Sequence, residues 1–188
     1  MIKGIDVSHW NSIKAIGSGY QDSEFVMIKA SEGRTFRDPM MNVHATNALQ
    51  AGAEIGFYHY ARPEANTPEE EAANFIYQTQ YYRGRSVLAL DWEGAALKQP
   101  IEWARKWLDL VYEKTGIRPL FYCQWSYTDK IKLIREGNYG LWLARYKDMD
   151  PKKISAKDKG PVAMWQFTSK PLDQDYFYGS VEQFKKYM

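Results

Sequence analysis

The sequence predicts an α/β fold, an irregular β/α barrel made of one domain with a polar groove at the C-terminal ends of its strands. Three observations predict it. Short apolar runs recur along the whole chain, and helix start and stop signals fall between many of them. Several runs are apolar almost throughout, as strands covered on both faces are. A length of 188 residues suits a single domain with its own core.

Taken in order, Lys3–Ser8 is the first strand and Phe25–Ser31 the second. Asp38 and Pro39 then supply the N-cap and first turn of a helix that Gly52 follows. Glu54–Tyr60 is the third strand. Thr67-Pro68-Glu69-Glu70 opens the next helix with a capping box and an acidic first turn. Ser86–Glu93 is the fourth strand. A helix from Pro100 to Thr115 sets Ile101, Trp107, Leu108 and Val111 roughly on one face, with Gly116 as its C′ residue. Pro119–Gln124, Gly140–Tyr146 and Val162–Thr168 are the remaining strands. Ser126–Gly137 reads as a short helix and Asp148–Lys159 as a charged loop. A doubly wound open sheet competes with the barrel, but no glycine-rich phosphate loop follows the first strand.

Bulk properties exclude several classes. A net charge of +2 leaves no basic patch for nucleic acid. Cys123 is the single cysteine, so an internal disulfide and a multi-cysteine metal site are excluded. No apolar segment reaches spanning length, so membrane insertion is not expected. No secretory leader is read at the start. The expectation is cytoplasmic accumulation followed by release, or a non-classical route outward. The 14 Tyr and 7 Trp suit either stacking on sugar rings or filling the core.

The most informative stretch is Ser-Val-Leu-Ala-Leu-Asp-Trp-Glu, residues 86–93. Side chains two apart on a strand share a face, so Asp91 and Glu93 point one way and Trp92 the other. Two acids on one face repel as anions, which raises the pKa of at least one. One protonated and one ionised carboxyl are the equipment of glycoside hydrolysis. A surface acidic pair is the plain alternative, against which the buried Val-Leu-Ala-Leu run argues.

In a parallel barrel, functional residues gather at the C-terminal strand ends. Those ends offer Asp6, Ser8 and His9, then Lys29 and Glu32, then Tyr58, His59 and Tyr60. Asp91 and Glu93, Tyr122 and Gln124, Trp142 and Arg145, and Trp165 and Gln166 follow, and Asp173 and Asp175 add a late acid pair. Asp6 paired with Lys29 for structure alone, and structural roles for His9 and His59, stand beside the functional reading. His44 falls inside a helix and carries no expected role. A metal site from Asp6, His9, Asp91 and Glu93 lacks any His-x-His or His-Glu-x-x-His spacing, so neither a metal nor a cofactor is expected.

Gly4-Ile5-Asp6-Val7-Ser8-His9-Trp10 and Phe25-Val26-Met27-Ile28-Lys29-Ala30-Ser31-Glu32-Gly33 resemble glycoside hydrolase family 25, the lysozymes of the Chalaropsis and phage-endolysin type. Further matches are Gly56-Phe57-Tyr58-His59-Tyr60, Leu90-Asp91-Trp92-Glu93, Leu141-Trp142-Leu143-Ala144, Trp165-Gln166 and the block from Asp173 to Ser180. The resemblance spans essentially the whole chain. It implies a flattened β/α barrel and N-acetylmuramidase activity on bacterial cell-wall peptidoglycan, at the β-1,4 link from N-acetylmuramic acid to N-acetylglucosamine. It matches Glu93 to the general acid, Asp91 to its partner carboxylate, and Asp6 and Asp173 to two further groove acids. Tyr58, Tyr122, Trp142 and Gln166 match substrate-binding positions. Where the family pattern usually reads Asn, this chain has Asp175, and Asp173 is favoured over it as the groove acid. Residues 1–188 then form one catalytic domain without a separate wall-binding module, expected to act as a monomer.

Two acids from one strand do not straddle a sugar ring, which favours attack by the substrate's own acetamido group with Asp91 steadying it. Asp173 or Asp6 as direct nucleophile, or as base for water, is the competing mechanism. Asp91's charge is expected to keep Glu93 protonated, and Trp142 to act as a sugar platform. A non-catalytic glycan-binding module and a chitinase-like hydrolase remain as other functions. Chitinases of that type carry Asp-x-x-Asp-x-Asp-x-Glu, and here no acid stands at 86–90.

Overall fold

The computed structural model describes residues 1–146 and 162–188, so the charged loop expected at Asp148–Lys159 lies outside the described residues. The strands are β1 (Ile2–Val7), β2 (Phe25–Glu32), β3 (Phe36–Arg37), β4 (Glu54–Tyr60), β5 (Val87–Asp91), β6 (Leu120–Gln124), β7 (Leu141–Ala144), β8 (Val162–Thr168) and β9 (Asp173–Phe177). Their order, β1-β9-β8-β7-β6-β5-β4-β2, closes because β1 also pairs with β2. Eight strands therefore make a barrel, with β3 a short antiparallel addition to β2. Pairing is parallel around β1, β2 and β4 to β8, while β9 runs antiparallel to both β8 and β1. The barrel, not the open sheet, is the architecture.

The helices are α1 (Ile13–Ile16), α2 (Met41–Gln50), α3 (Pro68–Thr79), α4 (Ile101–Thr115), α5 (Lys132–Glu136) and α6 (Val181–Lys185). At the start of α3, Thr67 Oγ1 accepts from the Glu70 N–H, and Glu70 Oε2 accepts from the Thr67 N–H, which is the expected capping box. Gly116, at φ +76°, ends α4 as read from sequence. The helix expected from Pro39 begins instead at Met41. Asp38 is drawn off its cap position, accepting from the Met40 N–H at 2.9 Å, from the His9 backbone N–H and from the His9 ring Nδ1. The helix expected at 126–137 is split into a 3-10 stretch, Trp125–Lys130, and α5.

Alternation along the strands sorts the core. On β5, Leu88 and Leu90, with Trp92 beyond, face outward into the layer under α3 and α4, where Phe57, Phe75, Trp107 and Phe121 are buried. Val87 and Ala89 face inward, with Phe25, Met27, Leu120, Met164 and Phe177. Phe184 of α6 packs on Phe25 and Phe177. The inward positions are apolar deep in the barrel and become polar at one mouth. Each large side chain so buried contributes on the order of 2 kcal/mol, so this inner stack forms a stiff floor beneath that mouth.

Candidate active site

Strand β5 ends at Asp91, and the chain stays extended through Glu93 at φ −143° and ψ −175°. Glu93 is thus not in the strand, as the sequence had suggested, yet the extended backbone returns it to the side of Asp91. Trp92 is fully buried on the other face. Gly94 then turns the chain at φ +57°, and a Cβ there would lie 2.7 Å from Tyr60 Oη. Only glycine lets the chain turn here against the Tyr60 hydroxyl without strain or clash.

Strand β9 delivers the late acids. Because it runs antiparallel, its first residue, Asp173, pairs with Asp6 near the end of β1. Asp175 follows on the same face, opposite Gly4 of β1 and Gln166 of β8, and roughly 7 Å deeper in the barrel. That depth separates the two candidates. Asp173 lines the mouth, whereas Asp175 has no exposed surface.

Asp6, Tyr58, Asp91, Glu93, Tyr122, Trp142, Gln166 and Asp173 surround one cavity of about 230 Å³, together with Tyr146. All eight residues named from sequence meet there. A wider cavity of about 610 Å³ adjoins it, sharing Glu93, Tyr122 and Tyr146 and adding Gln124, Trp125, Ser126, Ala144 and Arg145. Sequence reasoning missed Trp125 and Tyr146. Trp125 directly follows β6, and Tyr146 is the last residue of the strand expected at Gly140–Tyr146; reading one residue past Gln124 and Arg145 would have found both.

Hydrogen bonds fix the floor of the cavity. Gln166 Nε2 donates to Asp6 Oδ2 at 2.7 Å, and Gln166 Oε1 accepts from the Tyr122 and Tyr146 hydroxyls at 2.8 and 2.6 Å. Trp142 Nε1 donates to Asp175 Oδ1 at 2.7 Å. Asp91 Oδ1 is buried with no donor among the described residues. Lys29 Nζ pairs with Glu32 at 2.7 Å and lies over the Tyr60 ring, so the alternative Asp6–Lys29 pair does not form.

Two expectations need correction. Trp142 is 2% exposed and meets Tyr58 and Tyr122 edge-on, so it is a packed wall of the cavity. It offers no open face for a sugar. His44 is also more than a bland helical residue: it is buried between the Tyr20 hydroxyl and the Ser8 carbonyl. The other histidines are held structurally. His9 binds Asp38, and His59 bridges Ser31 Oγ and Glu71 Oε2 while stacked on Trp107 under the outer helices.

Burial dominates the electrostatics. It lifts Asp6 to about 7, helped by the nearby Asp173. Burial, then Glu93, pushes Asp91 well above the usual carboxylate range against the pull of Lys29. Glu93 is raised by burial, then by Asp173, again against Lys29. Burial also raises Asp173, and burial with Asp6 raises Asp175 strongly. Asp91 is the deeper of the β5-derived acids, so burial favours its neutral form more strongly than that of Glu93. As a neutral acid it exerts no repulsion on Glu93, so the expected hold of an anionic Asp91 over Glu93 is replaced by that of Asp173.

The sequence pattern of "Glycosyl hydrolases family 25" matches residues 5–176. Lysozyme M1 of Streptomyces globisporus is 39% identical over 80 residues, covering 39% of this chain and 26% of that protein. The autolytic lysozyme of Clostridium acetobutylicum is 32% identical over 157 residues, covering 77% of this chain and 45% of that protein. The chain therefore spans less than half the length of these curated relatives. Among solved structures, a family GH25 lysozyme from Aspergillus fumigatus superposes with a TM-score of 0.81 at 28% identity, over 99% of this chain and 98% of that one.

Proposed function

The chain belongs to glycosyl hydrolases family 25, and we propose from that premise that it is a peptidoglycan muramidase cutting the β-1,4 bond from N-acetylmuramic acid to N-acetylglucosamine. One observation supports this above others. Asp6, Asp91, Glu93 and Asp173 line a single small cavity, all shifted toward their protonated forms, beside a longer cavity suited to a sugar chain.

Glu93, common to both cavities, is the general acid. Asp91 Oδ1, buried and without a donor, receives the acetamido N–H of the muramic acid residue. That bond favours ionised Asp91, and repulsion within the pair then leaves the proton on Glu93. The acetamido oxygen attacks the anomeric carbon as the glycosidic C–O bond breaks, and the departing oxygen takes the Glu93 proton. Asp91 stabilises the positive charge of the resulting cyclic intermediate. Ionised Glu93 next takes a proton from water, whose oxygen opens the ring with retention of configuration.

The test is reducing-end analysis of digested peptidoglycan. New muramic acid ends are expected. New glucosamine ends would make the protein a glucosaminidase, and no new ends with retained wall binding would make it a glycan-binding module.

A further inference from the structure

Beneath the cavity, two carboxylates meet without a cation between them. Asp175 is fully buried; its Oδ1 is satisfied by the Trp142 indole, and its Oδ2 has no donor among the described residues. What lies within its hydrogen-bonding reach is the carboxylate of Asp6. Asp6 in turn receives the Gln166 amide on Oδ2. Two buried carboxylates in contact cannot both be ionised, and a carboxyl oxygen with no donor beside another acid is satisfied by becoming the donor itself.

We propose that Asp6 and Asp175 share a single proton held on Asp175, and that this neutral acid, with Gln166, fixes Asp6 as an anion turned toward the cavity. Asp175 is thus a positioning residue. Its link to turnover rests on the muramidase reading given above; its protonation does not.

The surroundings agree. Strand β8 presents Gln166 and β7 presents Trp142, neither of which titrates in this range. Strand β9 adds Asp173 and Glu93 stands beyond β5, and these acids disfavour a second negative charge, while Asp91 at the end of β5 is itself held toward its neutral form. Tyr58, Tyr122 and Tyr146 are all pushed upward by burial and stay neutral. Lys29 on β2, whose charge acts on Asp91 and Glu93, is paired with Glu32. A group that binds its proton more tightly when folded stabilises the fold at low pH and loses that contribution as pH rises above the ordinary carboxylate range. An amide at 175 would donate to Asp6 and accept from Trp142 without that loss.

The experiment uses the whole chain with ¹³C-labelled aspartate, assigning the two Cγ signals by their disappearance in Asp175→Asn and Asp6→Asn. Near pH 8, above the value of about 7 to which burial lifts Asp6, the Asp175 signal should stay at the carboxylic-acid position and the Asp6 signal should stand at the carboxylate position. Thermal unfolding supplies a second readout. Asp175→Asn should melt with the wild type near pH 4 and higher by on the order of 5 °C near pH 8. Near pH 8, an ionised Asp175 or a proton found on Asp6 would overturn the assignment, as would a melting difference that does not change with pH. Neither measurement involves a glycan, so both stand apart from the functional reading. On peptidoglycan, Asp175→Asn should keep at least about tenfold more turnover than Asp175→Val, because only the amide restores the donor; equal loss in both would refute the positioning role.

Discussion

Asp6 and Asp173 stand opposite each other across the β1–β9 ladder, so acids from the two ends of the chain share one edge of the cavity. The antiparallel course of β9 makes this possible, since it brings the start of β9 to the mouth where the parallel strands end. Asp173 is also the anion that acts on Glu93.

A pH prediction follows from that pair. A general acid works while protonated, so activity falls as pH rises through its pKa. An anionic Asp173 raises that pKa, and Asp173→Asn should lower it, moving the alkaline limb of kcat/KM to more acidic pH. Asp91→Asn should leave the kcat/KM limb in place, because Asp91 is already neutral in the free protein. The kcat limb should move instead, since bound substrate ionises Asp91. Full pH profiles of both variants decide this; a kcat/KM limb that moves with Asp91→Asn and not with Asp173→Asn would reverse the assignment.

Turnover itself should depend on Glu93. Glu93→Gln keeps the shape and cannot donate a proton, so kcat on peptidoglycan should fall by about 10²–10⁴. Because Glu93 is raised by burial, its replacement by a neutral amide should not lower the melting temperature near neutral pH. Steady-state kinetics paired with a melting curve separate loss of chemistry from loss of fold.

The two tryptophans should behave differently. Trp125 lines the wider cavity with the Arg145 guanidinium 4.7 Å from its ring, and truncation there removes contact made equally in ground and transition states. Trp125→Ala should raise KM by about tenfold with kcat little changed. Trp142→Phe removes the donor to Asp175 and should lower kcat with KM little changed. An effect of Trp142→Phe on KM alone would revive it as a sugar platform.

The sequence legibility of this fold follows from local signals. The parallel strands were readable because each is a continuous apolar run, and the α3 capping box and the Gly116 cap because their chemistry is local. Strand β9 was not, since Asp173-Gln174-Asp175 reads as a polar turn and becomes a strand only through its pairing with β1 and β8. The site residues were recoverable from strand ends, but their burial was not. Nothing local says that Trp142 is enclosed by Tyr58 and Tyr122, or that Asp91 lies deeper than Glu93.

A stability prediction lies away from the cavity. Glu71 is fully buried and accepts from His59 Nε2 at 2.7 Å, from the Arg62 N–H at 3.1 Å and from Asn66 Nδ2 at 2.8 Å. Glu71→Ala leaves those donors unsatisfied and a void under α3, at a cost of about 3–5 kcal/mol. A midpoint in chemical denaturation shifted by less than about 1 kcal/mol would show that water replaces the carboxylate.

Gly94 couples backbone geometry to the acid. At φ +57° an L-residue is strained by about 1–2 kcal/mol, and a Cβ would stand 2.7 Å from Tyr60 Oη. The Tyr60 ring also covers Lys29, whose charge opposes the upward shift of Glu93, so displacing Tyr60 disturbs both position and proton affinity of the acid. Gly94→Ala should therefore cut kcat by roughly tenfold or more while stability falls only by about the strain itself. Removing the obstruction distinguishes the two causes. In Gly94→Ala with Tyr60→Phe, the hydroxyl that meets the Cβ is gone and the backbone strain remains, so part of kcat should return with no recovery of melting temperature. Activity that stays equally low in the double variant would place the whole effect in the backbone turn.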